Sequence, residues 1–201
     1  MGLGWCGVTQ PEGTIETLLK WGVDVKARRV FFHGGFGSWD PGLEEFGESS
    51  VEVSIRALTY LDNTDGEIEL WIKSPGGDID EMWGLYDIIR TRSNVIHTIG
   101  FGEVASAGCL ILAAGDKRSV TENCWFMWHG QTADMGEATM AEARARLASW
   151  KRQSDKWIEV MGKRTNRDSA FWQEKTLVGE LWLDAKQMVK HGIVDSVIEG
   201  R

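Results

Sequence analysis

Residues 95–115 read VIHTIGFGEVASAGCLILAAG. Val95-Ile96-His97-Thr98-Ile99 has the β-branched content of a strand, and Gly100 follows it. Ala105 to Ala114 is an unbroken run of small and apolar side chains, read as a compact helix closed by Gly115. A strand that feeds a helix through a glycine-rich junction is half of a βαβ unit. The rest of the chain tests whether that unit repeats.

It repeats on both sides. Toward the N-terminus, Val30-Phe31-Phe32 reads as a strand ended by Gly34-Gly35. Val51, Ile55, Leu58 and Leu61 recur at helical spacing, and Asn63 and Gly66 stop that helix. Ile68-Glu69-Leu70-Trp71-Ile72 is a strand ended by Ser74-Pro75-Gly76-Gly77. Met82, Leu85 and Ile89 mark the next helix. Toward the C-terminus, Arg118 to Val120 and Trp125 to Trp128 are short strands. Met140, Ala143, Leu147, Trp150, Trp157 and Met161 form a stripe on one long helix, and Ile193 to Val197 is a last strand. The alternation predicts an α/β fold with a parallel sheet and crossover helices. The length of 201 residues suits a single domain over 1–201, with 1–13 as a flexible N-terminal segment and 34–50 as a loop-like insertion.

Composition excludes several classes. With 22 Lys+Arg against 30 Asp+Glu the net charge is −8, and no basic run offers phosphates a landing site, so nucleic acid is not an expected partner. No apolar stretch reaches the ~20 residues of a membrane helix. The first residues lack the basic and apolar regions of a signal peptide. Cys6, Cys109 and Cys124 are odd in number and form no CxxC, which suits reduced thiols in a cytoplasm rather than a disulfide framework. His33, His97, His129 and His191 lie far apart without metal-ligand spacing, so no metal and no cofactor are expected. Gly100-Phe101-Gly102-Glu103-Val104-Ala105 fits a loose dinucleotide pattern. It lies too late in the strand order and lacks the acidic partner, so it is set aside.

Three positions carry candidate chemistry. Ser106 sits between a strand and a helix, flanked by small residues, with the N–H of Ala107 beside it. A nucleophile there gains an oxyanion donor, but a serine there is also an ordinary helix N-cap. His129 ends the apolar strand 125–128, where a sheet presents functional side chains. It is a candidate general base, or an imidazole satisfied by a backbone carbonyl. Ser74-Pro75-Gly76-Gly77-Asp78 is a tight turn whose glycines can aim N–H groups into a cleft.

Together these segments resemble the Clp-type serine peptidases, the ClpP family. The resemblance rests on Lys73-Ser74-Pro75-Gly76-Gly77, Gly102-x-x-Ala105-Ser106-Ala107-Gly108, Gly115-x-Lys117-Arg118, Met127-Trp128-His129, and the stretch from Leu183-x-Ala185 to Val197. It spans roughly residues 14–200. It implies a ClpP/crotonase-type fold of stacked β-β-α units, with residues 131–161 as a projecting handle. It implies Ser106 as nucleophile, His129 as base, and the backbone N–H groups of Gly77 and Ala107 as the oxyanion hole. The family's acid is an Asp; its position here is Glu180. Asp184 lies nearby at a position the family uses to cap a helix, and the family's Arg beside the acid is Gly179.

The implied activity is that of a serine endopeptidase subunit that cleaves polypeptides, with an apolar pocket for the substrate residue. The implied partners are copies of the chain in a heptameric ring, singly or stacked, and an AAA+ unfoldase. Three other readings stand beside it. They are a virus-encoded head-maturation protease of the same chemistry, a catalytically silent ring subunit, and a crotonase-fold acyl-CoA enzyme.

Overall fold

Strands that are apolar on both faces belong inside a parallel sheet. In the computed structural model, which describes residues 18, 21–37, 49–132 and 136–200, that sheet forms the centre of the molecule. The strands are β1 (Val23–Asp24), β2 (Arg29–His33), β3 (Ile68–Ser74), β4 (Ile96–Ala105), β5 (Lys117–Thr121), β6 (Trp125–Trp128), β7 (Leu181–Leu183) and β8 (Ser196–Ile198). The helices are α1 (Ser50–Leu61), α2 (Ile79–Thr91), α3 (Ala107–Ala114), α4 (Met140–Arg164), α5 (Ser169–Val178) and α6 (Ala185–Lys190). The order along the sheet is β1-β2-β3-β4-β5-β8, with β6 joined to β4 and β7 joined to β6. The expected parallel pairing holds from β2 to β8, whereas β1 and β7 run antiparallel to their neighbours. The flexible segment expected at 1–13 and most of the 34–50 insertion lie outside the described residues.

The fold turns on β4, and here two sequence expectations fail. The strand does not stop at Ile99 but runs ten residues to Ala105, and the helix begins at Ala107 rather than Ala105. Gly100 does not close a turn. A Cβ there would lie 3.0 Å from Val120 Cγ1 and 3.1 Å from Val104 Cγ2, so the glycine lets neighbouring side chains close over the backbone. The first half of β4 pairs with β5 (His97–Gly100 opposite Lys117–Val120), and the second half pairs with β6 (Glu103–Ala105 opposite Trp125–Met127). One long strand therefore carries two successive partners on the same edge. This brings the end of β6 beside the start of α3.

Side-chain caps start α1, α2 and α4. Ser49 accepts from the Glu52 N–H at 3.3 Å before α1, and Asp78 accepts from Asp80 and Glu81 N–H at 2.9 and 3.0 Å before α2. Thr139 and Glu142 form a reciprocal capping box before α4. Helix α3 is buried on every side, which fits a sequence with no polar face. Its C-terminal carbonyls are met by two cations: Arg164 Nε donates to Ala113 O at 2.8 Å and Arg90 Nη1 donates to Ala114 O at 2.9 Å.

The stripe expected on the long helix is only half used. Trp157, Ile158 and Met161 are buried, but Met140 and Leu147 are 72% and 54% exposed. The C-terminal half of α4 packs against α3 and α5; the N-terminal half projects. The last strand begins at Ser196 rather than Ile193. Before it, Asp195 is clamped by the Arg118 backbone N–H at 2.9 Å and side chain at 2.6 Å. Among the described residues no helix is long and apolar enough to cross a membrane.

Candidate active site

Ser106 sits at the junction of β4 and α3 with φ 53° and ψ −119°. A residue with a Cβ rarely adopts that conformation, and structures that hold it there have a use for the strain. Two features hold it. The Ser106 N–H donates to Met127 O on β6 at 2.8 Å. The glycine turn after β3 leaves no room to relax: a Cβ on Gly76 would lie 2.4 Å from Ser106 Cβ and 2.9 Å from its Oγ.

The hydroxyl does not cap α3. Instead Ser106 Oγ lies 2.8 Å from His129 Nε2. The cap reading of Ser106 and the carbonyl-satisfied reading of this histidine nitrogen are both replaced by that contact. The pairing of β6 with the second half of β4 makes it possible across 23 residues of chain. A hydroxyl bonded to a neutral imidazole is the arrangement in which a serine loses its proton on attack.

Gly77 and Ala107 contribute backbone N–H groups without acceptors among the described residues. Ala107 is the first residue of α3, where no carbonyl lies one turn earlier. Around Gly77, Phe36 N–H donates to Gly76 O at 2.9 Å and Asp78 N–H donates to Phe36 O at 3.0 Å, so the Gly77 amide is skipped. With φ +139° and a virtual Cβ only 2.3 Å from Phe36 O, that position accepts glycine alone. Gly76→Ala is expected to destabilise the protein by roughly 1–3 kcal/mol through overpacking and to remove most peptide hydrolysis by displacing Ser106. A thermal melt with a peptidase assay checks both.

The two thiols among the described residues are not competing nucleophiles. Cys109 is buried with its Sγ 3.1 Å from Met127 O, and burial pushes its pKa well above the usual thiol value. Burial pushes Cys124 up to about 12.

The carboxylates divide clearly. Asp184 caps α6: its Oδ1 accepts from Gln187 N–H at 2.8 Å, and Gln187 Oε1 accepts from Asp184 N–H at 2.9 Å. Glu180 is exposed and its Oε2 accepts from Trp182 Nε1 at 2.8 Å. No hydrogen bond joins it to His129 among the described residues. β6 and β7 pair Phe126 with Leu183, Met127 with Trp182 and Trp128 with Leu181, and the ladder ends there, one residue short of His129 on one strand and of Glu180 on the other.

A cavity of about 210 Å³ opens beside the pair, lined by residues that include Gly77, Asp78, Ser106, His129, Gln131 and Trp157. Its lining is more polar than the apolar pocket expected from the resemblance. Sequence reading missed Gln131 and Trp157 here. The only available signal was the position of Gln131 two residues after His129.

The Clp protease family matches residues 44–201. The chain is 30% identical over 171 residues to the ATP-dependent Clp protease proteolytic subunit 2 of Treponema pallidum, covering 78% of this chain and 80% of that protein. It is 30% identical over 179 residues to the protein of the same name from Pseudomonas aeruginosa, covering 87% and 82%. The match spans the strained serine, the histidine and the Gly76-Gly77 turn, and the mixed sheet with its flanking helices agrees with the ClpP fold. The chain belongs to the Clp protease family and is a ClpP-type serine endopeptidase.

Proposed function

We propose that the chain hydrolyses polypeptides through Ser106, His129 and Glu180, in a chamber closed by its own self-association. The observation that carries this reading is the 2.8 Å contact between Ser106 Oγ and His129 Nε2 at a strained serine. His129 Nε2 takes the Ser106 proton as Oγ attacks the scissile carbonyl. The amides of Gly77 and Ala107 meet the oxyanion. His129 then returns the proton to the leaving amine, and water repeats the cycle on the acyl-enzyme. Glu180 turns from Trp182 to hold the Nδ1–H of His129, which fixes the tautomer and stabilises the imidazolium. The exposed Leu147, Leu177 and Val178 on α4 and α5 supply apolar surface for assembly. The assembly is a ring of seven, in the cytoplasm. The relatives' "ATP-dependent" names make an AAA+ unfoldase the partner that feeds it.

The acid is tested by two substitutions. Glu180→Gln is expected to lower turnover by up to ~10⁴-fold with the melting temperature unchanged. Asp184→Asn is expected to cost about 1 kcal/mol of stability with turnover near wild type. The reverse pattern, a dead and well-folded Asp184→Asn beside an active Glu180→Gln, assigns the acid to Asp184. Native mass spectrometry at micromolar concentration tests the ring: seven copies support it, and monomer alone overturns it.

A further inference from the structure

The cavity beside Ser106 is the size of one side chain, about 210 Å³, and its reading as a substrate pocket rests on the assignment of Ser106 and His129 as the reacting pair. Two of its lining residues bury polar atoms that no hydrogen bond satisfies among the described residues. Trp157 is 3% exposed, and its indole Nε1–H has no acceptor. Gln131 buries both the oxygen and the nitrogen of its carboxamide, and neither has a partner. Four other indoles find acceptors, Trp71, Trp128, Trp172 and Trp182 donating at 2.8–3.0 Å; the Trp150 Nε1–H, outside this cavity, is the other buried indole donor without one among the described residues. Burying a polar group without a partner is costly, and such groups persist where a ligand completes them.

The unsatisfied set is two donors, Trp157 Nε1–H and Gln131 Nε2–H, and one acceptor, Gln131 Oε1. A hydrocarbon side chain would leave all three unpaired. An ammonium or guanidinium has donors only and would reach Oε1 alone. A carboxylate would serve the two donors but abandon Oε1, and it would sit in a cavity that Asp78 also lines. A carboxamide has an oxygen for the donors and an NH₂ for the acceptor. We propose that Gln131 and Trp157 are specificity-determining residues that select glutamine or asparagine as the residue whose carbonyl Ser106 attacks.

The test uses the full-length protein and fluorogenic peptide amides that differ only in the residue before the cleaved bond: Gln, Asn, Lys, Glu or Leu. kcat/KM for Gln is expected to exceed that for Leu by at least about tenfold, the lower end of what an unpaired buried group imposes. Gln131→Leu is expected to reverse that order. Gln131→Glu keeps the size but offers acceptors only, and is expected to raise Lys above Gln; a misfolded variant cannot produce that gain. A wild-type preference for Leu overturns the proposal. So do Gln131 variants that slow all five peptides equally, which would place this carboxamide on the substrate main chain. Covalent labelling of Ser106 by a fluorophosphonate, run in parallel, separates the two levels. Labelling without a carboxamide preference overturns the specificity alone. Absence of both labelling and cleavage overturns the assignment of the reacting pair, and the specificity with it.

Discussion

His129→Ala is expected to lower turnover on a peptide substrate by on the order of 10⁶-fold, the loss seen when the base of a working triad is removed. The size follows from the geometry. His129 Nε2 is the only base in contact with Ser106 Oγ among the described residues, and burial raises the pKa of both Cys109 and Cys124. Without the imidazole the hydroxyl attacks with its proton in place. The oxyanion amides remain, so residual catalysis above water is expected to survive. His129 is partly exposed, so the melting temperature is expected to stay near wild type. Steady-state kinetics with a thermal melt check both; turnover within tenfold of wild type contradicts the role given to His129.

Trp172→Ala is expected to be the most damaging core change, at about 3–5 kcal/mol. That is a large part of the roughly 5–15 kcal/mol that holds a domain folded. Trp172 is fully buried and packs on Trp128 with ring centroids 4.9 Å apart, on Phe171 at 5.3 Å and on Phe126 at 6.4 Å. Its Nε1–H donates to Thr165 Oγ1 at 2.9 Å. The truncation opens a cavity between α5 and β6 and strips a partner from Thr165. Because Trp128 precedes His129, the loss is also expected to loosen the base. Denaturant titration checks the magnitude, and Trp172→Phe is expected to cost less.

The local elements were legible because their signals are short-range. The apolar strand Ile68–Ile72, the helical spacing of Val51, Leu58 and Leu61, and the capping position of Asp184 act within a few residues. The continuation of β4 past Gly100 was not legible. Whether a glycine ends a strand or admits a neighbour depends on Val120 and Val104, which reach it only in three dimensions. Helix α5 went unread although Asp168 caps it, accepting from the Phe171 N–H at 2.9 Å, because its apolar residues are too few to show a period. The stripe on α4 failed differently. The sequence marks an apolar face but not what covers it, and Met140 and Leu147 in its N-terminal half stay exposed.

The site divides along the same line. Ser106, His129, Gly77 and Ala107 were legible as types at junctions, and the pairing of β6 with β4 supplied the contact. Glu180 rests on the resemblance: the β6–β7 ladder ends at Trp128 and Leu181, and the Glu180 carboxylate accepts from Trp182. Gln131 had no signal beyond its position two residues after His129, because an unsatisfied amide is a property of packing.

The most direct measurement is reaction of the full-length protein with a fluorophosphonate probe, followed by mass-spectrometric mapping of the modified peptide. The strained, imidazole-paired hydroxyl predicts one adduct, on Ser106, that is lost in Ser106→Ala with the melting temperature retained. An adduct on any other serine, or no adduct on a folded wild-type protein, would contradict it.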